Sequence, residues 1–396
     1  MAQTAEFQPL DYTRYDFKDP ETYKVRTDRG LTRETVEKIS DLKKEPDWMR
    51  QYRLRAYEHF LTRPVPDWGP DLSEIDFDAY TYYANPMAEG DTKKRWEDLP
   101  ADIRNTFDKL GIPKAEREYF GGVGAQYDSG TVYHKIREDL SAKGVLFTDT
   151  DTAVKEHSDI VRKYFGKIVP YNDNKFSALN SAVWSGGSFV YIPPGVDTGI
   201  PLQAYFRINA KSVGQFERTL IIADKGAKIH YIEGCTAPVY STDSLHAAVV
   251  EVMAEPYAKV RYTTIQNWSK NVYNLVTKRA VAQEQALVEW VDGNLGSKIT
   301  MKYPSVFLKG RGARADILSV AFASADQFID SGAKVVHSAP DTSSKIISKS
   351  IALRGGRTSY RGLLHVAKGA TGVKAAVRCD ALLPDEASRS DTYPYN

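Results

Sequence analysis

Six segments decide the fold: DKGAKIHYI (224–232), AEPYAKVRYTTI (254–265), AQEQALVEWV (282–291), KGRGARADILSV (309–320), APDTSSKIISKS (339–350) and AKGATGVKAAVRC (367–379). Each is a polar turn, a small residue, and then a run in which apolar side chains alternate with others. Aligned on Ala227, Ala258, Ala286, Ala313, Ser344 and Gly372, they recur at spacings of 31, 28, 27, 31 and 28. That regularity marks a repeat architecture. The runs are about five to eight residues long, β-branched and closed by glycine or proline, which fits strands and not a helical period. One such turn cannot bury its apolar face alone. Stacking turns at roughly 4.8 Å per rung makes a continuous core. The expected fold is mainly β: a right-handed parallel β-helix (solenoid), the hand following from the crossover rule. An antiparallel sandwich would need more tight Asn-Gly or Asp-Gly turns, and only Asp292-Gly293 qualifies.

Upstream of the repeats, Leu31 to Phe60 carries charged and apolar residues at helical spacing, with Thr32 or Thr35 available as a cap. Leu99 to Leu110, Glu116 to Phe120, Thr131 to Ala142 and Ala153 to Phe165 read as further short helices. Pro113 and the glycines at 121, 122 and 124 divide them; the glycines read as a loop between helices more readily than as a nucleotide-binding turn. Past Asn174 the texture changes to short Val-, Ile-, Tyr- and Thr-rich runs. The expected organisation is a helical region over 1–173 and a β-helix core over 174–396.

The chain's 53 Lys plus Arg against 51 Asp plus Glu give a net charge of +2, no general pull toward nucleic acid or a membrane surface. No stretch approaches the ~18 to 20 uninterrupted apolar residues of a membrane span, and Met1 to Asp16 lacks a secretion-signal pattern. A cytoplasmic location is expected. The two cysteines, Cys235 and Cys379, form no CxxC pair, which excludes a disulfide framework and a four-cysteine zinc site. GxxxxGK[ST], GxSxG and HExxH are absent, so the chain is read as a scaffold and not as an ATPase or hydrolase of those types. The seven histidines, at 59, 134, 157, 230, 246, 337 and 365, show no ligand spacing.

Asn209, Cys235 and Gln266 stand at spacings of 26 and 31, about one coil each, which predicts a stack on neighbouring rungs. Arg207 with Asn209, and Gln266 with Trp268, stand two apart and share a face; Lys278 opens the next coil. A thiol near Arg207 and Lys278 is expected to ionise more readily than the ordinary ~8.5. The plainer readings are a small buried apolar Cys235, a core Trp268, and Arg207 and Lys278 at solvated coil edges. Five repeats place Cys379 on the order of 24 Å from Cys235, too far for a disulfide or one shared cluster. An iron–sulfur cluster commonly takes four ligands, mostly thiolates, so a cluster at either cysteine must draw ligands from elsewhere. A polysaccharide-active β-helix enzyme would need a column of surface carboxylates. Asp292, Asp316, Asp330 and Asp341 are 24, 14 and 11 apart and fit none.

The segments GGVGAQYDSGTVYHKI, NKFSALNSAVWSGGSFVYIPPGV, IEGCTAPVYSTDSLHAAVVEV, TTIQNWSKNVYNLVTKRA and SKIISKSIALRGGRTSYRGLL resemble the SufB/SufD family of SUF-system iron–sulfur cluster assembly scaffolds, in order, from about residue 30 to the end. The intact EGCTAP and QNW segments favour the SufB side over a SufD-like structural partner. The resemblance implies a helical N-terminal region, a β-helix, and a complex with SufD and the ATPase SufC. It implies that Cys235 accepts sulfur from a cysteine desulfurase and its sulfur carrier, and that Cys379 is a ligand of the nascent cluster at the SufD interface. Arg207, Asn209, Gln266, Trp268 and Lys278 match the family's interior route between them. A reduced flavin is associated with the family's complex, and nothing in this sequence places it. The family's pattern continues past TYPYN into a Glu-His-Glu-Ala motif and a helical C-terminal region that docks SufC, whereas this sequence stops at Asn396.

Overall fold

The computed structural model of the chain describes residues 22–88, 91–109, 119–209, 211–238 and 242–395. The alternating runs form two sheets, together a β-solenoid of about 7 turns. In the first sheet, Leu202–Arg207, Lys228–Thr236, Lys259–Trp268, Leu287–Gly296, Arg314–Ala323, Ser343–Ala352 and Lys374–Leu382 each pair in parallel with the next. The second sheet holds the intervening strands, among them Arg218–Ala223, Val249–Ala254, Val272–Ala282, Ile299–Lys302, Phe328–His337 and Arg357–Val366. Parallel pairing between strands one repeat apart excludes the sandwich. Antiparallel strand pairs among the described residues are confined to Val25–Arg26 with Ala84–Asn85, Gly122–Tyr127 with Gly130–Ile136, and Leu146–Asp149 with Ser188–Ile192. Asp292-Gly293 lies inside a strand and makes no turn.

One corner is repeated on six rungs. Lys228, Lys259, Leu287, Arg314, Ser343 and Lys374 are in register. The residues two before them, Gly226, Tyr257, Gln285, Gly312, Asp341 and Gly372, all have φ between +55° and +70°. This left-handed corner turns the chain, and the small residue after it enters the interior: Ala227, Ala258, Ala286 and Ala313 are fully buried. Two alignment anchors are corrected by this. Thr342, not Ser344, follows Ala313, and Val373, not Gly372, follows Thr342, so the spacings are 31, 28, 27, 29 and 31. The slip arises because Thr342, Ser343 and Ser344 are all small polar residues; only the first follows the left-handed Asp341.

Within the strands the period of two decides what is buried. Val260, Tyr262, Thr264, Gln266 and Trp268 face inward while Lys259, Arg261 and Ile265 face out. Tyr231, Tyr262 and Trp290 stack with ring centroids 5.1 and 5.0 Å apart, close to the strand spacing that carries them.

The N-terminal helices Arg33–Lys43 and Asp47–Thr62 form where the helical spacing predicts them, the first capped by the Thr32 hydroxyl, which accepts from the Thr35 N–H. Ala101–Lys109 is helical, and the expected 153–165 helix is two, Thr150–Glu156 and Ser158–Tyr164, broken at His157. The 116–120 segment lies mostly outside the described residues. Two expectations are corrected. Thr131 to Ala142 is the strand Gly130–Ile136 followed by the five-residue helix Glu138–Ala142. The glycine cluster is the strand Gly122–Tyr127, paired in parallel with Leu202–Arg207. Its glycines serve close packing: a Cβ on Gly122 would stand 2.5 Å from the Phe147 ring.

The strand-rich portion also contains one buried helix, Lys175–Val183, opened by a reciprocal cap between Asn174 and Ser177. Its C-terminal carbonyls, which no helical N–H can reach, are satisfied by Arg53, donating to Ala182 O at 3.1 Å and Trp184 O at 2.9 Å while held by Glu45. Glu251, fully buried on the second sheet, accepts from the N–H groups of Gly166, Ile168 and Val169 and from Arg218. These contacts fasten the helical region to the coil. Among the described residues, no helix is long and apolar enough to cross a membrane.

Candidate functional site

Lys228–Thr236 turns Ile229, Tyr231, Glu233 and Cys235 inward, and Cys235 is 1% exposed. Gln266 stands opposite it on the next rung and Asn294 on the one after. The rung before presents Phe206, not Asn209. Asn209 lies beyond it, past the strand end, with its N–H donating to Asp128 Oδ1 at 2.7 Å. The expected column is therefore kept for Cys235 and Gln266 and corrected for Asn209, because the register of this coil stops at Arg207 opposite Thr236.

A second interior column is more continuous. Glu233, Thr264, Asp292, Ser319, Ser348 and Cys379 occupy one register line across six successive strands. The first five are buried and all are polar, whereas Cys379 is exposed on the last strand of the sheet. The two free thiols are thus five rungs apart, on the order of 24 Å, at opposite ends of a line of carboxylates and hydroxyls.

Charge gathers where this column begins. Glu233 accepts from the Tyr262 hydroxyl at 2.5 Å and from the Cys235 thiol at 3.7 Å. From the facing sheet, buried Lys278 places Nζ 4.0 Å from Glu233 and 3.6 Å from Asp292, and 4.5 Å from the centre of the Tyr262 ring. It makes no hydrogen bond among the described residues. Lys302 stands 3.3 Å from Asp292 and 3.4 Å from Gln266 Oε1. Gln266 also accepts from Asn274, whose Oδ1 is 2.7 Å from His246 Nδ1; His246 Nε2 meets Glu217 at 2.5 Å, and the His246 ring lies against Trp268 at 4.6 Å.

This environment corrects the expected ionisation of Cys235. Burial, and then Glu233 and Glu217, push its pKa well above the ordinary thiol range; Lys278 and Lys302 act the other way and are outweighed. Lys302 is pushed down to about 8 by burial, against the opposing effect of Asp292. Burial would raise Asp292, but Lys302 and Lys278 together hold it below the usual carboxylate range. Arg207 is buried, with Nη1 donating to Thr236 Oγ1 at 3.3 Å one residue past Cys235. The plainer reading of Arg207 and Lys278 as solvated edges is excluded by their burial. Among the described residues, no three His, Cys, Asp or Glu side chains cluster as a metal site. Cys379, its thiol raised by burial and Asp380, has no ready-made ligand set around it among the described residues.

Glu233, Tyr262 and Lys302 were not singled out from the sequence, and Asp292 was weighed only as a turn residue and as part of a carboxylate column that fails. Glu233 is two residues before Cys235, and Asp292 follows from Glu233 by two coils, so inward parity would have found both. Lys302 and His246 lie on the other sheet, where no repeat had been aligned.

A family model described as SUF system FeS cluster assembly, SufBD core domain, matches residues 206–396, and one described as SufBD protein N-terminal region matches residues 127–204. The iron-sulfur cluster assembly protein SufB of Bacillus subtilis is 55% identical over 383 residues, covering 97% of this chain and 82% of the relative. The chain belongs to the SufB/SufD family of SUF-system iron–sulfur cluster assembly proteins. SufBD family proteins of Staphylococcus saprophyticus and Staphylococcus aureus (strain MRSA252) are 55% and 54% identical, over 97% and 98% of this chain and 82% of each relative. The solenoid and its helical N-terminal region are therefore those of a SufB/SufD assembly protein, and iron and sulfur are its cargo.

Proposed function

We propose that this SufB/SufD family member is the SufB-type scaffold: Cys235 accepts sulfane sulfur as a persulfide, the sulfur passes along the coil interior, and a cluster is built at Cys379. The observation that carries this reading is the buried register line from Glu233 to Cys379, which begins beside one free thiol and ends at the other. Gln266, Trp268 and Lys278 line the start of the route, with Arg207 on the rung before it and Asn209 past the end of that strand.

The partners in this reading are SufD, the ATPase SufC, and a cysteine desulfurase with its sulfur carrier, in the cytoplasm. Reduced flavin belongs to the assembled complex and is assigned to no residue here. Cys235→Ser keeps the shape of the interior and removes the nucleophile. It should fold normally by circular dichroism and fail to form a cluster when desulfurase and cysteine are the only sulfur source, as read by iron–sulfur absorbance after anaerobic reconstitution with SufC and SufD. Full assembly by that variant would refute the role of Cys235.

A further inference from the structure

The thiol of Cys235 is shut inside the coil, where burial and neighbouring carboxylates keep it protonated, yet the proposed role requires a nucleophile. We propose that Glu233 is a catalytic residue that takes the Cys235 thiol proton during sulfur acceptance, with Lys278 and Lys302 supplying the positive charge that holds the resulting anion. This deepens the reading of Cys235 as the sulfur acceptor and rests on it.

The geometry is specific. Glu233 and Cys235 project from the same face of one strand, and the Sγ–H donates to Glu233 Oε1 at 3.7 Å. The other carboxylate oxygen is fixed by the Tyr262 hydroxyl at 2.5 Å, and Thr264 Oγ1 stands 3.5 Å from Oε1. A carboxylate surrounded by O–H and S–H donors is an acceptor held in place. Lys278 reaches in from the opposite sheet with Nζ 4.0 Å from Glu233 and 3.6 Å from Asp292, and its charge acts on the thiol in the direction that favours the anion. The remaining titratable groups that bear on the thiol are Tyr231, whose hydroxyl is engaged with Ser188, and Glu217, which is engaged with His246. Of the two carboxylates, only Glu233 is bonded to the sulfur itself.

The step balances without an oxidant. The Sγ–H bond breaks, its proton passing to Glu233 Oε1 and its electron pair staying on sulfur. That pair forms a bond to the outer sulfur of a hydropersulfide R–S–SH as the S–S bond breaks, and the bonding pair leaves with the donor as R–S⁻. The products are the Cys235 hydropersulfide, the donor thiolate and protonated Glu233.

The opposite possibility makes a test decisive. If Glu233 only repels negative charge, removing its charge frees the thiolate and speeds reaction; if it accepts the proton, removing it slows reaction. The reduced full chain is treated anaerobically with methyl methanethiosulfonate between pH 6 and 9, and modification of Cys235 and Cys379 is followed separately by peptide mass spectrometry. In the wild type, the Cys235 rate should vary little with pH from 6 to 8. Glu233→Gln should lose about a hundredfold at pH 7 and then gain tenfold per pH unit. Glu233→Asp, which keeps the charge but retracts the carboxylate, should fall between the two and serves if the glutamine variant does not fold. Cys379 should react alike in all three. Equal or faster reaction of Cys235 in both variants would overturn the proposal. The same series with sodium disulfide as a small sulfane donor separates the two readings: no sulfur on wild-type Cys235, with Glu233-dependent methanethiosulfonate rates intact, removes the sulfur-acceptor role and leaves the proton acceptor standing.

Discussion

His134 packs edge-on against Phe147, ring centroids 4.3 Å apart, and burial lowers its pKa from 6.5 to about 4. Its folded value lies below its unfolded value, so between pH 6.5 and 4 the unfolded chain binds more protons and stability falls as the pH drops. His134→Gln should remove about 2 kcal/mol of the stability lost between pH 7 and 5, measured by urea denaturation at the two values. Single residues also show where sequence reading stops. Cys235 and Gln266 were legible because both sit in the aligned repeat, one coil apart and in register. The sign of the field on Cys235 was not. Lys278 was visible as a cation in the sequence, but burial of the thiol, followed by Glu233 on its own strand and Glu217, outweighs it. Asn209 was misplaced because a residue past a strand end no longer follows the register.

Among the elements, the alternating runs were legible down to their inward faces, since a period of two has one physical meaning once a face is buried. The glycine-bearing strand Gly122–Tyr127 was not, because its glycines answer to a phenylalanine ring from another part of the chain. The buried helix Lys175–Val183 escaped for a related reason: all nine of its residues are buried, and its polar ones, Asn180 and Ser181 among them, bond partners inside the protein and mark no solvent face. The left-handed corner offers a clean test of the repeat. Gly226 has φ +70° and open space, with no atom nearer than 3.9 Å to the place a methyl would occupy, so Gly226→Ala carries only the backbone penalty. It should cost about 1–2 kcal/mol, read as a lowered urea midpoint with the fold retained by circular dichroism.

For the molecule as a whole, the family likeness and the solenoid were both readable from the sequence, yet the way the helical region is fastened to the coil was not. That attachment depends on Arg53, Arg218 and Glu251, buried charges that bond backbone groups of distant segments as well as other side chains. No composition or spacing announces such bonds. The polar interior line is likewise a property of the assembled stack. Each member, Thr264, Asp292, Ser319 or Ser348, is an ordinary strand residue until the register lines them up.

Each strand in this part of the protein pairs within its sheet only with strands of the coil before it and the coil after it. Pulled from the Tyr395 end in an optical trap, the chain should therefore unzip in a staircase, each step releasing one repeat of slack, about 100 Å when drawn straight. The last steps should differ in height, where Glu251 and Arg218 anchor the helices and several elements must let go together.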